Sequence, residues 1–389
     1  DSAIHDPLEG LERSVMNGTA STDWDEWARG VRGLYALLET ENTEAWLKGL
    51  APMLPFLNRI LEDPTRSDED RLLARERKEK VNRLLVEISG LWEEAVATQP
   101  AVVPGDSLNW EWQVLRRNPS ATVKVVPLSL RLLGLWPNGQ ERTLWDGKTA
   151  PTANDLGDSL HRYAFRAALP AGMPMSGPFW KAEGPRSAHY SVPDFGSHRP
   201  ESPPSLMVES RWLWSIEAME IPVTLRTPLL YKWTDPVLGE RYRPMEVLPT
   251  WQVSLEPRQL VVPDGVRELR FRLSLRIEGG PTAPKRTDTL RWGLAGWPEG
   301  WRLVSEPPLL LNPRPDSLYT WEAVLTTVGR EAGQGGIVTP AVYRSVQGRW
   351  IPQELASVVR LEYGHIPIQT RVVPVEASVV RLHQKSSGK

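Results

Sequence analysis

Three residues of one proline-rich segment are of the types that could bind a metal ion. His189, Asp194 and His198 share that segment and could converge as two nitrogens and one oxygen, a ligand set that suits Zn²⁺. The chain has 6 histidines and no cysteine, which excludes disulfides, thiolate metal sites and thiol catalysis. No H-x-x-x-H or H-E-x-x-H spacing occurs. These three residues are therefore only weak metal candidates, and we expect a structural role for such loop histidines.

Two segments spell the Gly-Asp-Ser-Leu motif of a class of esterases, at residues 105–108 and 157–160, and the second continues into His161. In those esterases the serine precedes a helix. Here each segment opens an alternating strand pattern, and Asp or Ser after Gly is also what a turn favours. We therefore predict turns at both places and no catalytic residue in the chain.

Tryptophan is unusually frequent, with 18 residues against 8 Tyr and 5 Phe. Those inside strand patterns, such as Trp110, Trp112, Trp251, Trp292 and Trp321, are predicted to be core. Aromatic residues near turns or in the long loop suit stacking on a sugar ring or contact with a partner protein. The predicted contact residues are Trp180, Tyr190, Trp212, Trp214, Trp297 and Trp301.

The overall composition excludes two classes of partner. Lys+Arg is 46 and Asp+Glu is 48, a formal net charge of -2, so the chain lacks the basic footprint of a nucleic-acid-binding protein. No apolar run reaches the ~20 residues of a membrane-spanning helix. The chain has 36 prolines and 29 glycines, which disfavour helices and favour strands and turns.

The first hundred residues differ from the rest in their periodicity. Apolar residues such as Trp27, Val31 and Leu34 recur every three or four positions, which predicts amphipathic helices. We expect a second helix capped by Thr43 and a third over residues 68–97. The three helices would form a small antiparallel bundle.

Beyond a proline- and glycine-rich linker at residues 98–106, the apolar period changes to two. Many short strands separated by turns predict a mainly β fold with two antiparallel β-sandwiches of Ig-like or NEW3-like type. The predicted domains are a helical linker domain (1–98), a first sandwich (99–244) with a long proline-rich loop (170–204), a second sandwich (245–383) and a tail (384–389).

Five segments, in their order along the chain, carry a resemblance to the C-terminal part of large LmbE/PIG-L-type deacetylases of bacteria. Residues 102–106 (VVPGD) resemble the opening of the first sandwich of those proteins. Residues 168–180 (ALPAGMPMSGPFW) resemble their proline-rich passage, and residues 232–249 (KWTDPVLGERYRPMEVLP) resemble the linker between their sandwiches. Residues 296–305 (GWPEGWRLVS) resemble the Gly-Trp turn of the sandwich modules attached to many sugar-active enzymes, and residues 363–383 resemble the close of the deacetylase chain.

The resemblance implies a non-catalytic accessory region of a zinc-dependent N-acetyl-sugar deacetylase. The His-Pro-Asp-Asp-Glu-like zinc motif of the family is absent, since His5 is followed by Asp6 and Pro7. No cofactor is therefore implied in this chain, and zinc would belong to a catalytic domain absent from it. The implied location is extracytoplasmic, in the periplasm or at the cell surface. The helices would pack on the catalytic domain, so an isolated chain is expected to expose a large apolar face.

Three other functions stay open from the sequence. The chain could be a carbohydrate-binding or cell-envelope interaction module that uses Trp180 and Trp212 as a stacking platform. It could be a subunit of a larger envelope assembly with protein partners. It could also be an enzyme that uses His189, Asp194 and His198.

Overall fold

The computed structural model describes most of the chain. The described residues are 22–37, 42–117, 123–147, 159–177, 202–216, 219–263, 265–280, 283–285, 287–328, 335–363, 366–374 and 378–382. They form four helices and 22 strands, so the fold is mainly β, as predicted.

The helices all precede the first strand. They are α1 (Thr22–Tyr35), α2 (Thr43–Leu50), α3 (Met53–Glu62) and α4 (Asp68–Ile88). Asn42 caps α2, because its side chain accepts a hydrogen bond from the Ala45 amide at 3.1 Å. Ser67 caps α4 in the same way through the Asp70 amide, also at 3.1 Å. Each cap satisfies a backbone donor that the first helical turn leaves free.

The last helix is shorter than the sequence pattern predicted. Helix α4 ends at Ile88, and Leu91–Ala97 is strand β1 rather than the end of a helix reaching residue 97. Gly90 separates the two elements with a φ of +70°, a conformation that glycine adopts without steric cost. A Cβ at this position would also collide with the Arg117 carbonyl. The chain therefore enters its first sheet at Leu91.

The apolar faces of the helices are buried within this chain. Trp27, Leu50, Leu57 and Leu85 are at most 2% exposed, and they belong to one core that continues into the first sheet. Among the described helical residues, Leu72 is the large apolar side chain that is exposed, at 56%. The expectation of a large exposed apolar face on the helices is therefore wrong, because these side chains pack on one another and on the first sheet in one core.

The first β unit, as we call it, is an eight-stranded sheet in the order β5-β4-β7-β8-β1-β3-β6, with β9 paired to β8. Its strands are antiparallel except for β1 beside β8, which are parallel. The bounds of its strands beyond β1 are β3 (Ser107–Arg116), β4 (Val123–Leu135), β5 (Glu141–Gly147), β6 (His161–Ala168), β7 (Leu206–Ile216), β8 (Met219–Asp235) and β9 (Gly239–Pro244).

Tryptophans fill the interior of the first β unit. Alternate residues of β3 and β7 point inward, among them Trp110, Trp112, Trp212 and Trp214. The ring centroids of Trp112 and Trp212 lie 5.5 Å apart, although their strands are not neighbours in the sheet. The sheet thus curls until its inner side chains meet, and the wide indole rings fill the space.

The second β unit contains two further sheets that share one core. One sheet has the order β15-β17-β13-β11-β20-β21, and the other has the order β12-β22-β18-β14-β16 with β19 paired to β18. A separate two-stranded pair joins β2 (Ala101–Val102), which lies between β1 and β3, to β10 (Glu246–Val247), which lies between the two units in sequence. The remaining bounds are β11 (Trp251–Glu256), β12 (Gln259–Val262), β13 (Glu268–Ile277), β14 (Thr289–Gly296), β15 (Trp301–Leu303), β16 (Leu310–Leu311), β17 (Ser317–Thr327), β18 (Gly336–Val346), β19 (Arg349–Pro352), β20 (Ala356–Tyr363), β21 (Ile366–Pro374) and β22 (Ser378–Leu382).

Candidate functional site: the junction between the two β units

The segment that joins the two β units is buried rather than exposed. Residues 245–250 are all buried, with Val247 and Leu248 both at 0% exposure and Met245 at 1%. Connections between independent domains are usually exposed, polar and flexible. We call residues 244–250 the junction segment, and its burial indicates a fixed joint.

Backbone hydrogen bonds attach the junction segment to the first β unit. The Met245 amide donates to the Leu229 carbonyl at 2.7 Å, and the Leu248 amide donates to the Val102 carbonyl at 2.8 Å. The parallel pairing of β10 with β2 adds a short ladder. Buried backbone donors need such partners, because an unpaired one costs about as much free energy as a lost hydrogen bond.

Ser176 connects the junction segment to both units. Its hydroxyl accepts a hydrogen bond from the Val247 amide at 2.9 Å and lies 2.9 Å from the Ser205 hydroxyl. Its backbone amide donates to the Val247 carbonyl at 2.9 Å, and its carbonyl accepts from Val372 of β21 at 3.1 Å. Ser176, in the loop after β6, therefore contacts Ser205 just before β7, the junction segment and the second β unit.

Two glycines allow the backbones of the units to approach closely. A Cβ built on Gly280 would lie 3.0 Å from the Cβ of Val103, and a Cβ on Gly177 would lie 3.3 Å from the Val372 carbonyl. Gly280 also has a φ of +119°, which L side chains rarely adopt. Larger side chains here would push the units apart.

Charged side chains at the junction are paired with one another. The guanidinium of Arg243 lies 2.9 Å from the carboxylate of Glu246, with side-chain exposures of 10% and 5%. The same guanidinium lies over the rings of Tyr231 and Trp233, at 5.7 and 6.0 Å from their centroids. Breaking such a buried pair by removing one partner is costly, because the other charge then stays uncompensated.

Three segments singled out in the sequence meet at this junction. Residues 102–106 supply β2 and Val103, residues 168–180 supply Ser176 and Gly177, and residues 232–249 supply Arg243 and most of the junction segment. The motifs therefore share a structural task, which is to join the units. Their distance in the sequence concealed that task.

A second polar cluster lies inside the first β unit, around Glu93 of β1. Its carboxylate accepts hydrogen bonds from the Thr227 hydroxyl at 2.9 Å and from the Ser210 hydroxyl, whose Oγ lies 2.9 and 2.7 Å from the two oxygens. The indole nitrogens of Trp112 and Trp212 donate to it at 3.3 Å. Trp212 also donates to Ser210 Oγ at 2.8 Å. The cluster thus crosslinks β1 to β3, β7 and β8.

Burial raises the pKa of the Glu93 carboxyl above its ordinary value of 4.5, and the hydrogen bonds from Ser210, Thr227 and the two indoles oppose this only in part. Some atoms of Glu93 are exposed to solvent, but its carboxylate is desolvated. Because four side chains already donate to it, an incoming group would have to displace one of them. We assign Glu93 a structural role. The helix expected over residues 68–97 had concealed it, although the alternation of Leu91, Glu93 and Ala95 after Gly90 is a strand signal.

The predicted metal and contact residues in the proline-rich loop lie outside the described residues. This group contains His189, Asp194, His198, Trp180 and Tyr190. Within the described part of the chain, no group of three His, Asp or Glu residues could hold a metal ion. No helix there is long and apolar enough to cross a membrane.

Three of the remaining predicted contact residues are core. Trp212 and Trp214 are 0% exposed in the middle of β7, and Trp301 is 4% exposed in β15. No face of these rings is free for a sugar or a partner, so their prediction as contact residues is wrong. Trp297 is 37% exposed and stays a candidate. Of the predicted core residues, Trp110, Trp112, Trp251 and Trp292 are confirmed, at 5% exposure or less.

Both esterase-like segments lead into strands. Strand β3 begins at Ser107, inside the first segment, and β6 begins at His161, directly after the second. Ser159 Oγ lies 3.2 Å from His161 Nε2 in an exposed position. That serine leads into a strand, whereas the esterase motif places its serine before a helix, so we do not assign it as a nucleophile.

Comparison with known proteins identifies no family. No family model matches the chain, and no curated protein matches it. Red sea bream transglutaminase is 12% identical, with a TM-score of 0.26, over 83% of this chain and 34% of its own. A DUF4785 family protein from Legionella pneumophila is 9% identical, with a TM-score of 0.22, over 69% of this chain and 56% of its own. The D0-D1 domain of intimin is 8% identical, with a TM-score of 0.20, over 72% of this chain and 97% of its own. At these TM-scores we draw no conclusion about activity, partner or location.

Proposed function

We propose that this chain is a non-catalytic scaffold that holds its two β units in a fixed orientation and so positions a partner. By the resemblance of its sequence, that partner is the catalytic domain of a zinc-dependent LmbE/PIG-L-type N-acetyl-sugar deacetylase. The observation that carries the proposal is the burial of residues 245–250 between the units.

A scaffold transmits orientation only if its joints resist bending. The junction segment meets this need, because the hydrogen bonds of Met245, Val247 and Leu248 fix it to the first β unit. Bending the second β unit away would break the bond from the Val372 amide to the Ser176 carbonyl and separate Gly280 from Val103. Bending at this joint would therefore cost several interactions at once.

The finer parts of the proposal follow from the same resemblance. The sheets of the two β units are proposed to be Ig-like sandwiches, and the protein is proposed to act outside the cytoplasm, in the periplasm or at the cell surface. Envelope proteins or glycans are further partners. Because the apolar faces of the helices are already buried in the core that the helices share with the first sheet, the surface for the catalytic domain is proposed to lie elsewhere.

The proposal is tested by measuring zinc content and acetate release from N-acetylglucosamine oligosaccharides. The purified chain alone is expected to hold no stoichiometric zinc and to release no acetate. Added to the LmbE/PIG-L-type catalytic domain encoded nearest to it, the chain is expected to form a complex by light scattering. Stoichiometric zinc together with deacetylation by the chain alone would overturn the scaffold assignment, and so would the absence of any complex.

A further inference from the structure

One arginine on the outer face of the second β unit contacts two aromatic rings. Arg291 of β14 pairs directly with Tyr343 of β18, and Ser345 of β18 pairs with Trp350 of β19. The neighbours of Arg291 in its strand, Leu290 and Trp292, are buried, so Arg291 points outward. Its guanidinium carbon lies 4.8 Å from the centroid of Tyr343 and 5.3 Å from that of Trp350.

The guanidinium of Arg291 contacts the two rings but is paired with no carboxylate of the described residues. A comparable arginine at the junction, Arg243, also lies over two aromatic rings, but its side chain is only 10% exposed and is paired with Glu246 at 2.9 Å. Arg291 is exposed, and it forms no ion pair with any carboxylate of the described residues. The acid closest to it in sequence, Asp288, is paired with Arg344 at 2.8 Å.

The position of the rings fixes which ligand chemistry the site fits. The two rings contact the guanidinium through cation–π interactions, and no described residue accepts a hydrogen bond from its N–H groups. Those donors match the two oxygens of a carboxylate, and an arginine already ordered by stacking loses little conformational entropy on binding. Trp350 is 38% exposed, so part of its ring is free to cover an apolar surface next to the carboxylate.

A sugar ring that bears a carboxylate offers both features. The acid group would meet the edge of Arg291, and the C–H face of the pyranose would lie on Trp350. The hydroxyls of Thr289 and Ser345 lie on the same face of the sheet, because they share the strand alternation of Arg291 and Tyr343. These two hydroxyls can form hydrogen bonds with the hydroxyl groups of the sugar.

Other acidic ligands fit less well. A nucleic acid needs several clustered cations along its phosphates, whereas the register of β14, β18 and β19 places Arg291 without a second cation on this face, in a chain of net charge -2. A Glu or Asp side chain of a peptide has the carboxylate but no ring to cover Trp350. We propose that Arg291, Tyr343 and Trp350 form a binding site for a uronic acid residue of an acidic glycan. This inference does not depend on the scaffold function.

Calorimetry on the full chain tests the site with matched ligands. Oligogalacturonate and an oligosaccharide of glucuronic acid with N-acetylglucosamine are compared with the methyl ester of oligogalacturonate. We expect at least one acidic oligosaccharide to bind, and the methyl ester to bind at least about 10-fold more weakly, because it lacks the charge that Arg291 recognises. Equal binding of acid and ester would overturn the proposal, as would no binding of either acidic oligosaccharide.

Variants then locate the site. Arg291→Ala and Trp350→Ala are expected to weaken binding at least about 10-fold. The control is Arg142→Ala, which removes a guanidinium stacked at 4.4 Å on Trp136 in the first β unit and is expected to leave affinity unchanged. An equal loss in Arg142→Ala would contradict the location. Equal competition by a poly-glutamate peptide would contradict recognition of the sugar ring.

Discussion

Glu93 illustrates how a single buried carboxylate can order a sheet. Its oxygens receive donors from β3, β7 and β8, so one side chain fixes the relative positions of four strands. Burial raises its pKa, which means that the folded protein binds this proton more tightly than the unfolded chain does. The stability linked to Glu93 is therefore fully present below the unfolded pKa of about 4.5 and is lost as the pH rises through the folded pKa.

We predict that Glu93→Gln removes this component of the pH dependence. In urea unfolding between pH 4 and pH 8, the free energy of unfolding of the wild type should fall, relative to that of Glu93→Gln, as the pH rises. Glu220→Gln, at an exposed position of β8, controls for the loss of one carboxylate. Parallel pH profiles for the wild type and Glu93→Gln would show that the carboxyl has no raised pKa.

The sequence did not indicate the Arg291 site because strand register, which a sequence does not show, creates it. Arg291, Tyr343 and Trp350 belong to three strands, and only the strand register brings them together. The predicted contact residues were chosen for their closeness to turns, but Trp212 and Trp214 are inward-facing residues of β7. Alternation alone does not show which face of a strand meets the core when both faces carry large side chains.

At the scale of elements, the glycines at the ends of strands and helices determine where the chain can change direction or approach a neighbour. Gly90 ends α4 and permits β1 to begin at Leu91. Gly280 follows β13 and lets the second β unit contact Val103 of the first. Both roles depend on the absence of a side chain. A glycine in the sequence therefore predicts a turn, but it does not show whether another part of the chain packs against it.

We predict that Gly280→Ala destabilises the protein by about 1–3 kcal/mol, because alanine is strained at positive φ and its Cβ would lie 3.0 Å from that of Val103. Gly279→Ala is the matched control, since a Cβ there meets nothing within 4 Å. It should change stability by less than about 1 kcal/mol. Thermal and urea unfolding measure both variants. Equal effects at the two positions would mean that the contact with Val103 does not restrain the junction.

At the scale of the whole molecule, the sequence correctly predicted that helices come first along the chain and that strands follow them. Helical periodicity in residues 1–98 and period-two alternation after residue 106 predicted the mainly β fold with its helical start, although the last predicted helical residues, 91–97, are strand β1. It did not predict that the helices share a core with the first sheet, since an amphipathic helix pattern shows a buried face without naming what covers it. The burial of residues 245–250 was equally inaccessible, because it depends on contacts among three distant segments.

The fixed joint between the β units is the central claim, and interspin distances measure it directly. The chain has no native cysteine, so spin labels can be placed through Arg162→Cys on β6 and Arg302→Cys on β15, both exposed. Pulsed electron paramagnetic resonance should give one narrow distribution of distances between the two spin labels. Ser176→Ala, which removes the acceptor of the Val247 amide, should broaden it, whereas Ser205→Ala, which leaves that acceptor in place, should not. A broad or multimodal distribution in the labelled wild type would contradict the scaffold.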